Sequence, residues 1–153
     1  MDLSRLALLA GDDALARMHD AHFLVCGLGG VGAWAAEALA RSGAGSLTLV
    51  DYDLVQPSNL NRQLLALQST LGRPKVQVLA ERLKDINPEI QLTLKQLRLS
   101  PENIPALLAE RHWTGVLDAI DERQAKLALL AECVQRGLRV VSSLGAANMT
   151  RPS

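Results

Sequence analysis

The sequence predicts an α/β fold, a doubly wound and mainly parallel five-stranded sheet with helices on both faces. Short β-type runs alternate with longer helical patterns, and a glycine-rich turn follows the first run and opens a helix. The chain also has 153 residues, 48% of them hydrophobic and 21% charged, enough for one domain with a real core. A single domain over residues 1–153 is therefore expected.

The elements follow in order. A leading helix is predicted over Asp12–Asp20, then a strand His22–Gly27 and a helix from Gly30 to Ser42, stopped by Gly43. Ser46–Asp51 reads as the second strand. A short helical turn after Ser58 carries Leu60, Leu64 and Leu67, with Leu60 and Leu64 facing inward. Pro74 opens the next helix, which runs toward Asn87. Gln91–Leu99 alternates apolar and polar side chains, as a half-exposed strand near the sheet edge does. Ser100 caps a further helix with Pro101 at its first position, where a missing N–H costs nothing. Gly115–Ile120 is a strand, Glu122–Arg136 a helix closed by Gly137, and Arg139–Leu144 the last strand. Only a few residues follow Gly145, so the chain reads as cut short at its C-terminus.

Composition excludes several classes. Sixteen basic and sixteen acidic residues leave no net charge, so no global footprint for nucleic acid or an anionic membrane is visible. The longest uncharged stretch, Phe23–Ala36, is too short for a membrane span and holds four glycines. No secretory signal is apparent, and a cytoplasmic location is the default. Cys26 and Cys133 belong to no paired zinc motif and sit in apolar settings, which reads as buried packing. His19, His22 and His112 have no ligand spacing.

Gly27-Leu28-Gly29-Gly30-Val31-Gly32 satisfies G-x-G-x-x-G between a strand and a helix, and Asp51 lies nineteen residues beyond Gly32. This makes the expected fold Rossmann-like. Such glycines let the backbone approach a phosphate chain, whose charge meets free N–H groups and the positive end of the helix dipole. Asp51 is placed to accept from ribose hydroxyls. Arg73 and Lys75 flank Pro74 at a helix start, where positive charge opposes the dipole by roughly 0.3–1 kcal/mol per group unless an anion is bound. They are either anion ligands or solvated surface charges, and Arg62 has the same two readings. Asp118 and Asp121 end a strand at the carboxyl edge of the sheet, where a metal fits. Asp121 has a second reading as the cap of the next helix, and Asp118, inside an apolar strand, needs a partner.

These residues resemble the ThiF, MoeB and HesA adenylyltransferase family, which shares its fold with the ubiquitin-activating enzymes. The resemblance rests on the glycine loop, Asp51-Tyr52-Asp53, Ser58-Asn59-Leu60-Asn61-Arg62-Gln63, Gly72-Arg73-Pro74-Lys75, Ile86-Asn87-Pro88 and Asp118-Ala119-Ile120-Asp121. Trp34–Gly43, Asn59–Gln63 and Ser142–Asn148 look most like the TcdA branch, the tRNA threonylcarbamoyladenosine dehydratases. The resemblance implies ATP and Mg2+ as cofactors. Gly27, Gly29, Gly30, Gly32, Asp51 and Asp53 would bind the nucleotide, Asn59, Arg62 and Lys75 its phosphates, and Asp121 the magnesium. Catalysis would fall to Arg62, Lys75 and Asp121, which stabilise charge as a substrate carboxylate attacks the α-phosphate. It also implies a homodimer, helped by the leucine-rich segment Leu3–Leu9. The family's N-terminal arginine positions fall on Asp2 and Leu8, with Arg5 nearby, and its Asp-Pro-Thr run reads Arg151-Pro152-Ser153.

Four functions compete. Cyclising dehydration of threonylcarbamoyladenosine in tRNA leads, although the absent basic charge weighs against an RNA substrate. Activation of a ubiquitin-like sulfur-carrier protein is the alternative. A non-catalytic nucleotide-binding module and a nicotinamide oxidoreductase follow.

Overall fold

His22–Cys26 forms β1, the centre of the sheet, because its side chains alternate between two apolar layers. Leu24 and Cys26 enter one core while Val25 enters the other. The computed structural model describes residues 1–144. Its order is α1 (Ser4–Ala10), α2 (Asp12–Asp20), β1, α3 (Gly32–Arg41), β2 (Ser46–Val50), α4 (Lys75–Ile86), β3 (Gln91–Lys95), α5 (Ile104–Ala109), β4 (Gly115–Asp118), α6 (Arg123–Gln135) and β5 (Val140–Ser142). The five strands pair in parallel in the order β3-β2-β1-β4-β5. The expected doubly wound architecture is present, and every strand pair is parallel.

The two cores lie on opposite faces of the sheet. Leu47 and Leu49 of β2 pack with Ala33, Ala36 and Ala40 of α3 and with Val76, Leu79 and Leu83 of α4. Both helices present these residues at i, i+3 and i+7, one stripe of a 3.6-residue repeat. On the other face, Leu24, Cys26, Val50 and Val116 pack with Ile104, Leu107 and Leu108 of α5 and Ala125, Leu129 and Cys133 of α6. Glu37 of α3, almost wholly buried, accepts from Arg41 at 2.8 Å and from Arg82 of α4 at 2.5 Å, which fastens the two helices side by side.

Strand register sets the site. Cys26 stands opposite Val50 on one side and Asp118 on the other. The residues that follow, Gly27, Asp51 and Ala119, therefore emerge together at the carboxyl ends of three adjacent strands. The order reverses between β1 and β4, the point where open α/β sheets hold ligands.

Several local expectations change. Ser4–Ala10 is helical, with Leu8 and Leu9 exposed. The segment after Gln56 is a 3-10 turn, Pro57–Asn59, followed by irregular turns, and a second 3-10 turn covers Gln68–Thr70. Leu60, expected inward, faces solvent, as does Leu67, while Leu64 packs against the core as expected and Leu65 is buried in it. Irregular turns between the two 3-10 turns do not keep the 3.6 period that places Leu60 inward. β3 stops at Lys95, four residues before Leu99, and β5 covers only Val140–Ser142. Ser100 does not cap α5; the Asn103 side chain instead accepts from the Ser100 amide at 2.9 Å and closes a turn before the helix. The expectations on residues 145–153 lie outside the described residues. Among the described residues, no helix is long and apolar enough to cross a membrane.

Candidate functional site

A crevice opens at the carboxyl ends of β1, β2 and β4, lined by Gly27, Gly29, Asp51, Asp53, Lys75 and Asp121 among others. Gly27 begins the turn with φ +87°, and a Cβ on it would lie 2.6 Å from the Ala119 carbonyl oxygen. Gly32 is needed for a different reason. A Cβ there would fall 1.7 Å from the Gly27 carbonyl oxygen, so only glycine lets α3 start this close to β1. Gly29 and Gly30 have room, with nothing closer than 3.6 Å to an added Cβ. Among the described residues, none accepts a hydrogen bond from the Gly29 or Gly30 amide. Those two N–H groups are left for a ligand at the N-terminal end of α3.

Asp51 holds the loop in shape. One carboxylate oxygen accepts from the Leu28 amide at 2.6 Å and the other from the Asp53 amide at 2.8 Å. Burial pushes its pKa above the ordinary carboxylate range, against the pull of the Asp53 and Leu28 N–H donors and the Lys75 charge. Each oxygen accepts one of these bonds and can accept a second, and Asp51 lines the crevice, so the carboxylate is an acceptor a ribose hydroxyl can use.

Lys75 is the cation of the crevice. The Val55 amide donates to the Arg73 carbonyl and the Lys75 amide to the Asp53 carbonyl, so the chain after β2 and the start of α4 run together. This brings the buried Lys75 ammonium to 3.0 Å from Asp53 Oδ2. Arg73, its neighbour in sequence, turns away and pairs with Glu81 on the surface. Of the two cations at that helix start, one belongs to the site and one is a surface charge.

The remaining predicted residues are placed as follows. Asp121 is exposed on the wall opposite Lys75, and Glu122 beside it caps α6 by accepting from the Gln124 and Ala125 amides. The cap reading of Asp121 is thereby replaced. Asp118 is not available to a metal, because its carboxylate is taken by Lys126 and Ser142, both at 2.6 Å. Asn59 is buried and accepts from the Gln56 amide at 3.0 Å. The Arg62 guanidinium is bonded to Ser58 O and Asn61 Oδ1, each at 2.9 Å, while its main-chain carbonyl faces Gly30. Neither Asn59 nor the Arg62 side chain lines the crevice. Among the described residues, no group of three or more His, Cys, Asp or Glu side chains gathers as a metal site. A single carboxylate with phosphate oxygens and water still fits magnesium, which keeps several waters of its own.

Sequence reasoning missed the apolar wall. Leu97 and Leu99 leave the sheet after Lys95 and line the crevice with Tyr52, Ala119 and Ile120. Their alternation continued beyond the paired strand, and that was the available signal. Arg98, between them, lies over the Tyr52 ring at 5.3 Å.

Comparison with known proteins gives this geometry a family. The sequence signature of the ThiF family matches residues 3–152. This chain belongs to the ThiF family. Within that ThiF frame it is 45% identical over 141 residues to tRNA threonylcarbamoyladenosine dehydratase of Haemophilus influenzae, covering 92% of this chain and 54% of the relative. The Escherichia coli protein of the same name is 42% identical, over 96% of this chain and 54% of its own length. Among solved ThiF-type structures, the E. coli dehydratase TcdA in complex with ATP superposes with a TM-score of 0.92 at 41% identity. That match covers 98% of this chain and 61% of the other. The chain thus spans little more than half the length of the relatives it matches.

Proposed function

We propose that this chain is the nucleotide-binding part of an ATP-dependent enzyme that activates and cyclises threonylcarbamoyladenosine in tRNA. The observation that carries the reading is the crevice itself. It sets the Gly29 amide, unpartnered among the described residues, with the Asp51 carboxylate and the buried Lys75 ammonium at the carboxyl ends of the strands, and the Gly30 amide follows Gly29 in the loop. Similarity to a dehydratase solved with ATP supports the choice of nucleotide.

In this reading Asp51 accepts from the ribose, and the glycine-loop amides and Lys75 hold the phosphates. Arg62 and Asn59, on the turn facing Gly30, join the phosphate end when the guanidinium leaves Ser58 O and Asn61 Oδ1 for the nucleotide. Asp53 keeps the Lys75 ammonium aimed. A substrate carboxylate attacks the α-phosphate of ATP and pyrophosphate leaves. An atom of the same threonylcarbamoyl side chain then closes on the activated carbonyl and AMP leaves. The chain supplies position and electrostatics, and no protein nucleophile is required. Asp121 would hold magnesium, which when bound would supply further neutralisation of the charge on the phosphates.

A homodimer belongs to the same reading, supported by the exposed Leu8 and Leu9 of α1, and light scattering that finds only monomers counts against it. A tRNA substrate also implies a cytoplasmic enzyme. Calorimetric titration is expected to show magnesium-dependent binding of ATP and none of NADH. Pyrophosphate exchange is then compared with modified tRNA and with a ubiquitin-like carrier protein as acceptor. Exchange with the carrier alone overturns the tRNA reading in favour of carrier activation.

A further inference from the structure

The most elaborate polar cluster among the described residues lies behind the crevice and has no role in the reading above. Asp118, at the end of β4, has a fully buried side chain. Its carboxylate accepts from Lys126 Nζ and Ser142 Oγ, both at 2.6 Å, and from the Ile120 amide at 3.0 Å. Lys126 Nζ also donates to the Ser143 carbonyl at 2.8 Å and lies 3.3 Å from Ser142 Oγ. The Ser143 amide closes the cluster by donating to the Asp118 carbonyl at 2.8 Å.

Lys126 is in an unfavourable place for a cation, the first turns of α6, where the helix dipole is positive. This half-buried ammonium is met by the opposing charge of Asp118, and three acceptors share its protons. What it joins is the turn 118–121, α6 and the end of β5. That turn carries Ala119, Ile120 and Asp121, the crevice wall that abuts Gly27.

We infer that Lys126 is a positioning residue, which fixes the 118–121 turn against the glycine loop and so sets where Asp121 meets a metal-bound nucleotide. This inference rests on the nucleotide reading. Asp121 is exposed and hangs from a turn held at its start by Asp118, by the Ala119 amide on the Cys26 carbonyl and by Ile120 against the core. The ammonium bridge, which reaches Asp118 on the α6 and β5 side, therefore bears on the geometry of that wall and leaves the Asp51 and Lys75 side untouched.

The test is Lys126→Met, with the double variant Asp118→Asn/Lys126→Met as the folded control, since it leaves no unpaired buried charge. In Lys126→Met, hydrogen exchange at the Ile120 amide is expected to accelerate about tenfold while the β1–β2 ladder is unchanged. Affinity for ATP with magnesium falls about tenfold to a hundredfold, whereas metal-free AMP binds within about twofold of the parent. The double variant regains the parent melting midpoint and keeps the magnesium-ATP defect. Parallel weakening of both nucleotides, no weakening of either, or full recovery in the double variant overturns the inference and leaves Lys126 a fold-stabilising residue only. A parent chain that binds no nucleotide overturns the functional reading itself, and this one with it.

Discussion

Lys75 donates to Asp53 at 3.0 Å, with the lysine side chain 5% exposed and the aspartate 40% exposed. The pair is therefore asymmetric, and its two halves respond differently to removal. Asp53→Asn strands a buried ammonium and is expected to cost about 1–3 kcal/mol. Lys75→Met leaves a carboxylate that already reaches water and should cost less. Urea unfolding of the two variants measures the order, and a larger loss in Lys75→Met refutes it.

The glycines of the loop separate into two kinds. Gly32→Ala must displace the Gly27 carbonyl and is expected to lower stability by about 3 kcal/mol or more. Gly30→Ala meets nothing closer than 3.8 Å and should fold within about 0.5 kcal/mol of the parent, while weakening ATP binding. Thermal melts with a parallel ATP titration check both. Equal destabilisation removes the distinction.

Acid should act through Glu37. The Arg82 hydrogen bond, with that of Arg41, outweighs burial and holds its pKa below the ordinary carboxylate range. A depressed native pKa means the folded state binds its proton less readily than the unfolded chain. Its stabilisation is whole above the unfolded carboxylate pKa of about 4.3 and drains away as pH falls through the native value. Glu37→Gln is expected to flatten that acid limb and to cost about 1–3 kcal/mol at neutral pH. An unchanged slope of stability against pH contradicts the assignment.

Neither thiol should react in the native protein. Burial pushes the Cys133 thiol up to about 11 and raises that of Cys26 still further, with the Asp118 charge adding to both. Maleimide labelling at neutral pH is expected to modify neither residue until denaturant is added. Rapid labelling of the folded chain argues against this packing.

What was legible in the sequence had a local cause. The sheet could be read because Leu24, Val25 and Cys26 alternate between faces, and the loop because Gly27 and Gly32 meet constraints within six residues of each other. What stayed hidden depends on distant partners. Nothing near Arg73 or Lys75 tells which one turns inward; that is decided by Glu81 on one side and Asp53 on the other. The Asp118 carboxylate was expected to need a partner, but Lys126 and Ser142 come from two later elements. Asn59 and Arg62 look like free ligands in sequence, yet each bonds within its own turn. Leu60 was misplaced because a helical period was applied to a segment of irregular turns, while Leu64 does pack on the core.

The central strand feeds both apolar layers, so the sheet offers no line of weakness along which its two sides can come apart. Whatever grips the turn at the end of that strand therefore restrains α3 and α6 together. A molecule seated there tightens the protein as one body, and its presence should be felt as far away as Leu83 and Leu129.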